Sequence, residues 1–159
     1  MLESVAALMA SIVLVALTAL TGGLFRPDGW YRALEKPAWT PPDRAFPIAW
    51  AVLYLLMAIA AWRVYLAEPS TARDVGLLLY LIHLLFNAAW SWLFFGRRRM
   101  VAALVDILLL WMLLSLVILL FWQVSVLAAA LLVPYWFWVA FAALLNARLW
   151  RLNPAASSP

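Results

Sequence analysis

His83, Asn87 and Trp90 lie at positions i, i+4 and i+7 of one apolar run, so a single helix face carries an imidazole, an amide and an indole. Trp50 and Tyr54 share a face in an earlier run, and Tyr135, Trp138, Ala142 and Asn146 line a third at i, i+3, i+7 and i+11. Converging, the three stripes would wall a cavity with indoles and phenols while amide and imidazole groups orient a guest. Such a pocket suits a flat, largely apolar ligand carrying a few polar substituents. Each residue also has a plainer reading. Asn87 and Asn146 can be interhelical hydrogen-bond partners. A lone His83 can be a packed, hydrogen-bonded residue rather than a haem ligand. Asp106, two turns into another apolar run, reads as a partner for a neighbouring helix ahead of a proton relay, because no second carboxylate accompanies it.

Familiar catalysis finds no support. There is no Ser/His/Asp set, no carboxylate pair, no Gly-rich phosphate loop and no HExxH motif. A single His and no Cys exclude a multi-histidine centre, thiolate ligation and disulfides within one chain, so neither a metal nor a resident cofactor is expected. Any chemistry would have to come from tryptophan or from the ligand itself.

The segment that would cap these stripes is residues 29–47, with Trp30, Tyr31, Trp39 and four prolines including Pro42. Proline fixes φ and removes donors, and aromatic rings give contact area with few torsions to freeze. This is a composition for a stiff aromatic lid. The alternative is a loop whose Trp and Tyr sit at the level of lipid headgroups.

Hydrophobic residues make up 69% of the 159-residue chain and charged ones 11%, too much apolar surface for a soluble domain of this size to hide. Five spans are expected, at about 5–25, 45–66, 75–95, 100–122 and 126–150, within one transmembrane domain over 1–152 and a flexible tail at 153–159. The fold class is therefore an all-α, five-helix membrane bundle with a structured first loop. Pro47 falls in the first turn of the second span, where its missing N–H costs nothing. Pro134 lies inside the fifth, where a kink or a gap filled by neighbours is expected. The start of the chain lacks the basic stretch of a cleavable signal peptide, so the first span is expected to stay as a helix.

Arg26, Arg32, Lys36, Arg44, Arg97, Arg98, Arg99, Arg148 and Arg151 fall on one side of the spans, against Arg63 and Arg73 on the other. The positive-inside rule then puts the aromatic loop and the C-terminus in the cytoplasm and the N-terminus outside. The bacterial cell membrane is the expected location; in an outer or organellar membrane only the compartment names would change. The net charge of +4 sits at membrane boundaries and is no nucleic-acid signature. Arg97, Arg98 and Arg99 read as a topology anchor or a lipid-headgroup site. Trp62, Trp92, Trp111, Trp122 and Trp150 read as lipid-facing or interfacial. Ala88, Ala89 and Ser91 offer small side chains for a homodimer seam on the third span.

The pattern Trp30-Tyr31-x-x-Leu34-x-Lys36-Pro37-x-Trp39-x-Pro41-Pro42, followed by Trp50-x-x-Leu53-Tyr54, resembles the translocator protein and tryptophan-rich sensory protein family, TspO/MBR. The likeness continues through Leu84-x-x-Asn87-x-x-Trp90, Phe94-Phe95-Gly96 and Leu104-Val105-Asp106 to Pro134-Tyr135-x-x-Trp138-x-x-Phe141-Ala142 and Leu145-Asn146. It covers nearly the whole chain. The resemblance implies a five-helix bundle, commonly a homodimer, that binds porphyrin-type tetrapyrroles and synthetic benzodiazepine-site ligands. It places ligand contacts at Tyr31, Pro42, Trp50, Asn87, Trp90, Trp138 and Ala142. A membrane receptor, carrier or sensor in tetrapyrrole metabolism or stress is the implied function. The alternatives are a light-dependent porphyrin-degrading enzyme using Trp50 and Trp138, and a structural scaffold. Two positions depart from the family pattern. His83 stands where Gln is common, which would allow axial contact with a metalloporphyrin. Ala147 replaces the Tyr of the proposed cholesterol motif, which argues against cholesterol as a partner.

Overall fold

Each apolar run long enough to cross a bilayer forms a single helix in the computed structural model, which describes residues 2–157. The helices are α1 (Leu2–Leu24), α2 (Gly29–Ala33, a short helix in the first loop), α3 (Ala45–Tyr65), α4 (Thr71–Ser91), α5 (Met100–Val124) and α6 (Val126–Leu152). A π-turn at Trp92–Gly96 prolongs α4, so the third span runs unbroken from Thr71 to Gly96. The described residues contain no strand, and the protein is an all-α integral membrane protein with five spans.

Local chemistry sets the helix ends. Ser70 Oγ accepts from the Arg73 N–H at 3.2 Å, and Ser125 Oγ accepts from that of Ala128 at 3.3 Å, each satisfying an orphan donor of a first turn. The Ser70 cap starts the third span at Thr71, earlier than hydropathy indicates, because the polar first turn Thr71–Asp74 contributes nothing to an apolar count. Ser125 caps α5 and α6 at once, leaving a one-residue turn that forces the two helices antiparallel. Pro134 does not break α6, which runs continuously past it.

The spans close a ring. α1 lies against α3 and α4, α3 against α6, α6 against α5, and α5 against α4. Met57, Tyr80, Leu114, Leu132 and Tyr135 fill the middle, while Leu85, Leu119, Phe137 and Leu144 point outward as a lipid-facing surface. Lipid tails are as apolar as leucine, so packing and hydrogen bonds must hold such helices together. α1 buries only Ser11, Val15 and Thr18. Its two hydroxyls bond back to the Ala7 and Leu14 carbonyls, which lets them face protein without an orphaned donor.

Two tryptophans assigned to lipid from sequence serve the bundle instead. Trp62 donates its indole N–H to the Ser4 carbonyl at 2.9 Å, tying α3 to the start of α1. Trp111 packs on Trp136 at 4.7 Å between centroids, and Trp136 donates to Ser115 at 2.8 Å. Trp92 and Trp122 are exposed, as a lipid-facing role requires. Asp106 is buried, but its Oδ2 has no partner among the described residues, so the expected interhelical bond is not formed there.

Candidate ligand-binding site

The loop after α1 folds over one end of the ring. Asp28 caps α2, accepting from the Tyr31 N–H through Oδ1 at 3.2 Å and pairing through Oδ2 with Arg98 at 3.0 Å. The Tyr31 amide, followed by Arg98, holds the Asp28 carboxyl below its usual value. Arg98 adopts φ 54° where the third span ends, the Arg99 N–H closing back on the Leu93 carbonyl at 3.0 Å, and lies 5.8 Å from the centre of the Trp30 ring. A non-glycine residue in that region costs about 1–3 kcal/mol, so the ion pair and ring contact oppose a real strain. On the far side Asn153 grips the loop backbone with both ends of its amide. It accepts from the Glu35 N–H and donates to the Glu35 carbonyl, both at 2.9 Å. The tail expected to be flexible from residue 153 is thus tied at its first residue and continues into a 3₁₀ turn, Pro154–Ser157; residues 158 and 159 lie outside the described chain.

Aromatic edges complete the seal. Tyr31 meets Phe95 at 5.5 Å, Trp30 meets Phe94 at 5.8 Å, and Trp39 meets Phe141 at 5.7 Å. Lys36 Nζ sits 4.8 Å from the Tyr31 ring centre. Burial raises the Tyr31 phenol above its ordinary value. Gly96 permits the closest approach: a Cβ there would lie 2.8 Å from the Phe25 ring.

Beneath this lid lies a cavity of about 680 Å³, within the roughly 300–1,000 Å³ typical of sites that enclose a small molecule. α3 contributes Trp50 and Tyr54, stacked at 5.2 Å; α6 contributes Trp138, Ala142 and Asn146; α4 contributes Trp90. Trp50 also meets Trp138 edge-on at 6.4 Å. Tyr31 closes the cavity from the lid. Asn146 fixes the wall by accepting from the Trp90 indole at 3.1 Å and donating to the Met100 carbonyl at 2.9 Å, joining α4, α5 and α6.

Seven of the thirteen residues singled out from sequence thus share this cavity: Tyr31, Trp50, Tyr54, Trp90, Trp138, Ala142 and Asn146. The others stand behind it. Asn87 lies under the floor, accepting from the Tyr54 hydroxyl at 2.9 Å and donating to that of Tyr135 at 2.6 Å. Tyr135 is fully buried. His83 is deeper still, its Nδ1 bonded to the Tyr80 carbonyl and its Nε2 without a partner. At 1.5 Å per residue, His83 lies about 10 Å along α4 from Trp90, too deep for the axial contact its position had suggested. Trp30 and Trp39 brace the lid from outside, and Pro42 gives its carbonyl to the Ala45 N–H at 2.8 Å where α3 begins.

Sequence reasoning missed the wall supplied by α1. Ala19, Gly22, Gly23 and Phe25 line the cavity, with Arg26 and Pro27 at its lip. The adjacent glycines before an arginine were the available signal, since small residues let a helix approach a neighbour closely. Ser91 was placed on an outward dimer seam, but it faces Gly22 of α1 and lines the cavity. Phe94, Phe95, Leu145 and Leu149 also went unassigned.

Five spans, an aromatic lid and a partly open cavity at the lidded end define a polytopic membrane protein with a lidded site. The model of the TspO/MBR family matches residues 10–151, and the chain belongs to that family. It is 40% identical to the protein CrtK of Rhodobacter capsulatus over 143 residues, 89% of each chain. It is 42% identical to a tryptophan-rich sensory protein of Cereibacter sphaeroides, covering 85% of this chain and 84% of the relative. The translocator protein of Homo sapiens is 40% identical, with 78% and 75% covered.

Proposed function

We propose that this protein is a bacterial membrane receptor or sensor that captures a porphyrin-type tetrapyrrole beneath the residue 29–47 lid. The observation that carries this reading is the convergence of Trp50, Trp90, Trp138 and Tyr54 on one lidded cavity. A flat macrocycle gains most from walls of rings, because offset and edge contacts add to the area buried. Relatives named sensory and translocator proteins support a role in signalling or transfer over a structural one. Replacing Trp138 with Phe keeps an apolar ring in the wall but shrinks it. The expected result is porphyrin affinity several-fold weaker with unchanged helicity, whereas the exposed Trp39→Phe leaves affinity much nearer the parent; equal affinity in the Trp138 variant would sink this site.

A second reading, light-dependent breakdown of the porphyrin, rests on the 6.4 Å contact between Trp50 and Trp138. An indole against a photoexcited macrocycle is placed to donate an electron. Spectral loss under illumination that stops in Trp50→Phe and Trp138→Phe would support it, and loss that persists in both would mark ordinary photobleaching.

A further inference from the structure

Two side chains of opposite charge line the otherwise uncharged cavity: Arg26, just past the end of α1, and Asp43, on the lid just before α3. Both are exposed at its lip. They do not neutralise each other. Among the described residues the ion pairs are Arg73–Asp74 and Arg98–Asp28, and neither includes Arg26 or Asp43. Two other cations at this end are engaged elsewhere, Arg98 with Asp28 and Trp30, and Lys36 with the Arg32 and Leu34 carbonyls and the Tyr31 ring, while Arg32 and Arg44 do not line the cavity.

Arg26 is also held in place. Its Nε donates to the Gly23 carbonyl at 2.7 Å, which fixes the root of the guanidinium and leaves its two terminal nitrogens for a guest. That fork matches the two oxygens of a carboxylate, and a pre-positioned fork loses little entropy on pairing. Deeper in the cavity the polar atoms of Asn146 and Tyr54 are spent on protein partners. The Trp138 indole N–H there has no partner but carries no charge, so among the described residues Arg26 is the one cationic side chain lining the cavity.

We propose that Arg26 reads an acidic substituent of the ligand at the mouth, while Asp43, elsewhere on the same lip, repels acids and so sets the direction of entry. This rests on the tetrapyrrole reading above. The ring system enters between Trp50, Trp90 and Trp138, and a peripheral carboxylate stays at the lip against the guanidinium. The site then discriminates acidic macrocycles from neutral ones of the same shape.

The test compares protoporphyrin with its dimethyl ester, which keeps the ring and removes both negative charges. Titrations run in the dark in an uncharged detergent, so that no lipid phosphate competes for Arg26. Arg26→Gln is expected to weaken diacid binding roughly two- to fivefold, the upper part of the range for an exposed charged pair, and to leave the diester unchanged. Arg26→Lys retains part of the preference, and Asp43→Asn strengthens the diacid alone. Comparing each variant's diacid-to-diester ratio with the parent's cancels the different partitioning of the two porphyrins into micelles. An Arg26→Gln ratio equal to the parent's, whether both affinities fall or neither does, overturns the proposal while leaving tetrapyrrole capture standing. Failure of the parent protein to bind either porphyrin saturably overturns tetrapyrrole capture, and this assignment falls with it.

Discussion

Asn87 joins three spans through two side-chain bonds, and its removal has a computable consequence. Its amide accepts from Tyr54 on α3 and donates to Tyr135 on α6, at 2.9 and 2.6 Å. Tyr54→Phe deletes the first bond and leaves the ring in the cavity wall. Asn87→Leu, close in volume, deletes both. Side-chain bonds between membrane helices average about 0.6 kcal/mol and reach about 1.7. Tyr54→Phe should therefore cost about 1 kcal/mol and Asn87→Leu about 2 kcal/mol. The double variant should also cost about 2 kcal/mol rather than about 3, because the Tyr54 bond can be lost only once. Reversible unfolding in mixed micelles, followed by far-ultraviolet circular dichroism, measures all three. Additivity of the two single changes to within about 0.3 kcal/mol would refute the Tyr54–Asn87 bond and the view of Asn87 as a brace beneath the cavity.

The Asp28 clasp should respond to acid only at extreme pH. Folding lowers the Asp28 pKa from 3.8, so its contribution is full above that value and declines as pH falls through the lower folded value. A nitroxide on a cysteine at Ala33 should stay immobile down to about pH 4 and loosen below it; loosening between pH 5 and 7 would contradict the assignment. In Asp28→Asn the lid should be looser at neutral pH and insensitive to acid over the same range. The proposed orientation is testable without background, because the chain has no cysteine. Ala38→Cys in the lid should label from the cytoplasmic side only and Glu68→Cys, in the loop before α4, from the opposite side only; labelling of both from one side would refute it.

The sequence carried the spans and the stripe faces well, for a physical reason. A bilayer demands about twenty apolar residues per crossing, and helical spacing decides which side chains share a face. Depth along a face is a different quantity. His83, Asn87 and Trp90 do share a stripe, yet only Trp90 reaches the cavity, because the lid covers the Gly96 end of α4 and each residue back from it lies 1.5 Å deeper. The same holds for Tyr135 below Trp138 on α6. The π-turn at Trp92–Gly96 could not be read, since an extra residue per turn leaves no mark in an apolar run. The α1 wall went unseen because Ala19, Gly22 and Gly23 contribute backbone surface rather than distinctive side chains. The lid was legible as stiff and aromatic, but not its anchors, because Arg98 and Asn153 are brought to it only by the closing of the ring.

The most direct test of porphyrin capture is a dark titration of the protein with protoporphyrin, read by tryptophan quenching, followed by illumination of the complex. Saturable quenching that weakens several-fold in Trp138→Phe, with a porphyrin spectrum stable in light, is the result a receptor predicts. Quenching that rises linearly without saturation, and equally in the parent and in Trp138→Phe, would contradict it.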